Sequence, residues 1–224
     1  MSGSITLENR FGVNKMELIS LKYAIFVIVL LVLYYCFPKK YRWYVLLAGS
    51  MAYYVIICKW YVLFIIFTIC TTYGSTIWID KLLKEQNAIV KSHKEDWDRQ
   101  TRKEYKEKGR KKRVAVMLFA LLCNFGILAF LKYIPYAGEL GLLLPLGISF
   151  YTFQSMGYVM DVYREIVEPE KNFLKVALFV SFFPQIIQGP IAIYDKLAGQ
   201  LYEGHSLRLE NLQKGALLVR ISFS

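Results

Sequence analysis

Apolar residues in this chain come in long runs, and polar residues gather between them. A helix needs about 20 consecutive apolar residues to cross the hydrocarbon core of a bilayer. Residues 18–37 form such a run, with Lys22 near one end able to snorkel toward water. Pro38-Lys39-Lys40 closes it. Runs 43–58 and 60–79 follow, separated by Lys59; the first is short, so the pair reads as a tight hairpin of two spans or as a partly inserted helix beside one span. Ala48 and Ala52 flank Gly49 and Ser50, a small face that another helix can approach closely. The charged stretch 81–113 reads as helical in part. Run 114–134, ended by Pro135, and run 140–162, interrupted early by Pro145 and Gly147, are the next spans.

Residues 173–193 are apolar but contain Pro184 and the pair Gly189-Pro190, which predicts a broken or re-entrant helix. Beyond it, Leu209, Leu212, Ala216, Val219 and Phe223 recur at helical spacing beside Arg208, Lys214 and Arg220. Residues 206–224 therefore read as an amphipathic helix or the truncated start of a further span. The expected fold class is all-α: polytopic transmembrane helices with a broken or re-entrant helix. Three parts are expected, a polar N-terminal tail (1–17), a membrane domain (18–205) and the terminal helix (206–224).

Composition supports this class. The 224 residues are 56% hydrophobic, above the roughly 45–50% of soluble domains. The net charge of +11 is uneven: residues 81–113 hold 13 Lys and Arg against 6 Asp and Glu. Basic loops stay in the cytoplasm. Segments 39–42 and 81–113 are therefore expected there, with the N-terminus outside. Anionic lipid headgroups are the nearest counter-charge, so nucleic acid is not an expected partner. Cys36, Cys58, Cys70 and Cys123 lie within apolar runs without metal-site or disulfide spacing, and read as small buried hydrophobes. No signal-peptide pattern is evident at the start.

The candidate chemistry lies in residues 145–164, PLGISFYTFQSMGYVMDVYR. On a helix Phe150, Gln154, Gly157, Asp161 and Arg164 fall on one stripe, with Tyr151, Ser155 and Tyr158 beside it. Asp161 and Arg164 are spaced to pair. Such a face points into protein or a wet cavity rather than at lipid. It serves either as hydrogen-bonding glue between helices or as the lining of a passage. In FFPQIIQGPI, residues 182–191, two prolines break the helix and free backbone carbonyls, which Gln185 and Gln188 can partly satisfy. This too reads either as a kinked span or as a re-entrant element lining a chamber. His93 sits in the charged stretch and His205 in a polar turn, so neither is placed as a general base. No metal site is expected.

These two motifs, in this order and at this spacing, resemble the signature of the membrane-bound O-acyltransferases, in their bacterial alginate O-acetyltransferase-like branch. The early PKKYRWYVLLAGSMAYY, residues 38–54, is similar to the N-terminal hairpin of that branch. The resemblance runs from about residue 16 to 218. It implies a ring of helices around a tunnel, through which an acyl group passes from a cytoplasmic donor to a hydroxyl on an exported cell-surface polysaccharide. The implied donor is acetyl-CoA or an acylated carrier protein, with no permanently bound cofactor. A separate extracytoplasmic acyltransferase partner is also implied. Gln154, Tyr158, Asp161, Tyr163, Arg164, Pro184, Gln185, Gly189 and Pro190 carry over as tunnel-lining or motif residues.

The family's catalytic histidine lies in a later apolar segment that has no match here. The resemblance thus covers an N-terminal half, no catalytic residue is assigned, and the chain alone is expected to be inactive. A truncated or frame-shifted product would read this way. The rival expectations are a transporter or channel fragment, for which broken helices at mid-membrane also serve, and a non-catalytic membrane scaffold.

Overall fold

The computed structural model describes residues 23, 25–58, 62–93, 97–133, 148–184 and 194–204. Within them the secondary structure is helical, without strands. The helices are α1 (Ile25–Cys36), α2 (Arg42–Cys58), α3 (Val62–Ser92), α4 (Arg99–Tyr133), α5 (Ile148–Tyr163), α6 (Phe173–Ser181) and α7 (Tyr194–Tyr202). The chain divides into two units, one of residues 1–46 with 203–224 and one of residues 47–202.

In the first unit, α1 buries Leu30 and Tyr34, one helical turn apart, and leaves Ile28, Val29, Leu31 and Val32 exposed. A single buried stripe on an otherwise apolar helix is what a lipid-facing helix shows. Pro38 stops α1 and, in extended conformation, caps a 3-10 turn at Lys39–Tyr41. Arg42 then donates from Nε to the Phe37 carbonyl at 3.0 Å. Its guanidinium lies over the rings of Tyr34 and Tyr35, at 5.3 and 5.2 Å. Gly204 approaches so closely that a Cβ there would meet the Lys39 carbonyl oxygen at 2.7 Å.

In the second unit α3 is the hub. It packs on α4, α5 and α6; α4 packs on α5, α5 on α6, and α6 on α7. Its buried stripe is Ile65, Thr68, Ile69, Thr72, Ser75, Thr76 and Ile79 at three- and four-residue steps. These small and β-branched residues let helices approach closely, which matters where lipid offers no hydrophobic drive to bring them together. Opposite lie Tyr151, Ser155, Tyr158 and Val159 of α5, and Val176, Phe179 and Val180 of α6, all at most 1% exposed.

Two of these helices, α3 and α4, are long and apolar enough to cross a membrane. Both run well past their apolar stretches: α3 continues to Ser92, and α4 begins at Arg99. The segment 81–113 is therefore mostly helix, the polar extension of a hairpin. Lys, Glu and Gln favour helix as strongly as leucine does, and Lys84 with Asp80 and Lys81 with Glu85 add pairs one turn apart.

Three expectations need correction. Cys36 and Cys70 are exposed and Cys123 is half-buried, so these thiols are not core residues. They sit on outward faces of apolar helices, where a small thiol is as compatible with lipid as with core. On α2, Gly49 and Ser50 are buried but the flanking Ala48 and Ala52 are exposed. On α5 the buried face is centred on Tyr151, Ser155 and Tyr158 rather than on the stripe beginning at Phe150, which is 44% exposed. Residues 206–224 and the segments 134–147 and 185–193 lie outside the described residues.

Candidate functional site

Why α6 ends where it does explains most of the polar seam. Phe182 leaves the helix in extended conformation and the chain resumes a helical turn at Phe183 and Pro184, where the proline has no N–H to donate to the carbonyl four residues before it. The last carbonyls of α6 are thereby left without intrahelical donors. Gln154, 2% exposed, fills one of these vacancies: its Nε2 donates to the Phe179 carbonyl at 2.9 Å. The two motifs singled out in the sequence thus meet, the glutamine of the first capping the helix that the second breaks.

Three other buried hydroxyls turn to carbonyls of their own helices, whereas those of Ser50 and Thr72 have no partner among the described residues. Ser155 donates to Thr152, Thr76 to Thr72 and Ser181 to Ala177. Asn124 of α4 bridges to the Thr71 hydroxyl at 2.9 Å and to the Ala120 carbonyl at 2.8 Å. Hydroxyls that bond back within a helix satisfy themselves without water. These bonds join helix to helix or turn to turn within α3, α4, α5 and α6.

Below it the polar groups fix a loop. Tyr158 is 1% exposed, and its phenol oxygen accepts from the Glu170 backbone N–H at 2.8 Å. Its ring stacks on Tyr194 of α7 with centroids 4.2 Å apart. Asn172 caps α6 by accepting from Leu174 N–H. Tyr202 donates to the Lys175 carbonyl at 2.8 Å. Burial pushes the Tyr194 phenol up to about 12 and holds that of Tyr202 far above the usual phenol range.

The C-terminal end of α5 is different. Ile166 N–H returns to the Asp161 carbonyl and Glu165 N–H to that of Val162, a Schellman cap with Glu165 in the left-handed position at φ 62°. Asp161 and Tyr163 are half-buried and Arg164 is exposed. The expected Asp161–Arg164 pair does not form: among the described residues neither side-chain head has a hydrogen-bond or ion partner. The nearby ion pair is between Arg113 and Glu165, at 3.9 Å. A cavity of about 360 Å³ opens beside this end, lined by Asp80, Asn87, Val162, Glu165 and Glu168 among others.

Of the remaining candidates, Pro184 is half-buried at the helix break, and Gln185, Gly189 and Pro190 lie outside the described residues. His93 is exposed and stacks on Trp97, with centroids 4.9 Å apart. Among the described residues no group of three or more His, Cys, Asp or Glu could hold a metal ion. Sequence reasoning missed the threonine stripe of α3 and the buried Arg113. The first was legible as Thr68, Thr72, Ser75 and Thr76 at helical steps; the second is hidden among like residues.

Sequence comparison adds an independent line. The chain is 40% identical over 74 residues to a protein named alginate O-acetylase AlgI from Pseudomonas syringae, covering 33% of this chain and 14% of that protein. It is 34% identical over 98 residues to one of the same name from Pseudomonas putida, covering 44% and 19%. To a peptidoglycan O-acetyltransferase of Helicobacter pylori it is 29% identical over 143 residues, covering 47% and 27%. The chain thus matches well under a third of the length of each. No protein-family model and no solved structure matches it.

Proposed function

We propose that this chain, a relative of the bacterial membrane-bound O-acyltransferases, forms the donor-side part of a membrane O-acetyltransferase acting on an exported cell-surface polysaccharide. The observation that carries this reading is the contrast along α5. Gln154 and Ser155 are buried and bonded to protein carbonyls, whereas the heads of Asp161 and Arg164, at one end, have no partner among the described residues. Charged groups at the end of a membrane helix reach the interface at little cost, so they stay available to a ligand. At a tunnel mouth they can orient a polar donor.

The reaction breaks the thioester C–S bond of the donor and forms an ester C–O bond to the glycan, and the hydroxyl proton passes to a general base. No described residue is assigned as that base. The part of this chain is to hold α5 and the broken α6 in register and to present Asp161, Tyr163 and Arg164 at the mouth. The basic extension 81–113 supports a cytoplasmic mouth by the positive-inside rule, with the N-terminus outside. The donor is then cytoplasmic acetyl-CoA or an acylated carrier protein. The acceptor lies across the membrane, where an extracytoplasmic acyltransferase partner would complete delivery.

The test is to change the chromosomal codons for Asp161 and Arg164 to leucine in the source cell. Acetyl esters on exported glycan, per unit of membrane-inserted protein, should fall at least tenfold. Unchanged ester content at normal protein level would refute the reading.

A further inference from the structure

The polar extension of the α3–α4 hairpin borders an open cavity of about 1040 Å³ that the acyl-transfer reading does not use. Arg99, Arg102, Lys103, Lys106, Arg110 and Arg113 of α4 line it, against Asp98, Glu107 and Glu165. The six cations sit at one-, three- and four-residue steps, so they crowd one face of one helix. Like charges a turn apart destabilise a helix. A purely solvated helix would disperse them; facing a concavity, they concentrate positive potential inside it.

At the inner end the site is built. The Arg113 side chain is only 10% exposed. One terminal nitrogen donates to Gln86 Oε1, the other lies 3.9 Å from Glu165 Oε1, and its Nε has no acceptor among the described residues. Gln86 is itself buried and cannot turn away, because its Nε2 donates to the carbonyls of Tyr105 at 3.2 Å and Lys106 at 2.9 Å. Gly109 makes room for it: a Cβ there would lie 2.6 Å from the Gln86 amide carbon. Two helices are thus brought to close approach by a glycine, and a locked amide aims a guanidinium. The resident carboxylate, Glu165, is 54% exposed and only loosely engaged.

We infer that this cavity is a binding site for a phosphate ester, with Arg113 as its anchor and Glu165 as a carboxylate that the incoming phosphate displaces. Guanidinium groups favour phosphate because the planar fork matches two of its oxygens. The volume exceeds that of one phosphate and suits a phosphate-bearing small molecule or a phospholipid headgroup. The inference is independent of acyl transfer, and its readout is binding alone.

The experiment uses the 224-residue chain in nanodiscs of pure phosphatidylcholine, titrated calorimetrically with inorganic pyrophosphate. Parallel nanodiscs containing phosphatidylglycerol are assayed by mass spectrometry for retained lipid. Pyrophosphate binding that weakens at least tenfold in Arg113→Gln, weakens severalfold in the exposed-rim variant Arg99→Gln, and tightens in Glu165→Gln supports a soluble phosphate ester. Retention of phosphatidylglycerol alone, lost in the same two weakening variants, supports the headgroup. Arg99→Gln keeps the test sharp should Arg113→Gln lose helicity. No binding of either probe, or binding equal in wild type and Arg99→Gln, overturns the site.

Discussion

The two halves of the α3–α4–α5 assembly bury polar groups by opposite rules. Between α3, α5 and α6, the Thr76 and Ser155 hydroxyls and the Gln154 amide sit at most a few per cent exposed and are bonded to carbonyls of the same or an adjacent helix, and the Thr72 hydroxyl in the α3 stripe has no partner among the described residues. Between the extensions of α3 and α4, a guanidinium is almost as deeply buried, yet its charge is only loosely countered and a cavity stands beside it. The first arrangement consumes its polar capacity in holding helices together. The second leaves capacity over. Buried polarity by itself therefore does not mark a working site in this protein; the proposed phosphate site rests instead on a loosely countered buried charge beside a cavity.

The sharpest way to break the comparison is to excavate the satisfied half. Phe179 is fully buried, with its ring edge-on to Tyr158 and Tyr194. Phe179→Ala should destabilise the fold by about 3–5 kcal/mol, read as a fall in the denaturation midpoint in detergent. A change below 1 kcal/mol would mean that α5, α6 and α7 are not packed as described.

A smaller, opposite effect is expected where the two halves meet. Glu165 holds a left-handed backbone that glycine adopts without strain. Glu165→Gly should raise stability by about 0.5–1 kcal/mol, since its ion pair at 3.9 Å is largely exposed and contributes little. A loss of stability would show that the carboxylate stabilises Arg113 more than the geometry implies.

How much of this was written in the sequence follows from what each pattern measures. Apolar runs mark where lipid is, so the α2, α3, α4, α5 and α6 regions were legible as apolar segments. Helix ends were not, because Lys, Glu and Gln carry α3 and α4 on into water once hydropathy has stopped. The polarity of 145–164 pointed to the right helix, but three- and four-residue spacing leaves its rotation free by one stripe. Contact with α3 and α6 turned Tyr151, Ser155 and Tyr158 inward and left Phe150 outside. That Gln154 answers the break at Phe182 was not legible, since the partner is a backbone carbonyl 25 residues away. Arg113 was equally hidden, as nothing local separates it from Lys111 and Lys112.

The smallest expected effect is one of pH. Buried phenols at Tyr194 and Tyr202 favour the neutral form, so their folded-state values are raised above the unfolded value of about 10. Their contribution to stability is complete below about pH 10 and declines above it, for Tyr194 until about pH 12 and for Tyr202 beyond that. Denaturation midpoints should therefore decline between pH 10 and 12 more gently in Tyr202→Phe than in the parent. Identical slopes would contradict the assignment.

The most direct test of the central claim, that the seam is structural and the α5 end functional, is Gln154→Leu introduced on the chromosome. Two quantities are read together, the denaturation midpoint of the extracted protein and acetyl esters on exported glycan per folded molecule. The account predicts a loss of about 1–3 kcal/mol from the uncapped Phe179 carbonyl, with acetylation per folded molecule within about twofold of the parent. An unchanged midpoint with a tenfold fall in acetylation would place Gln154 in the chemistry and contradict it.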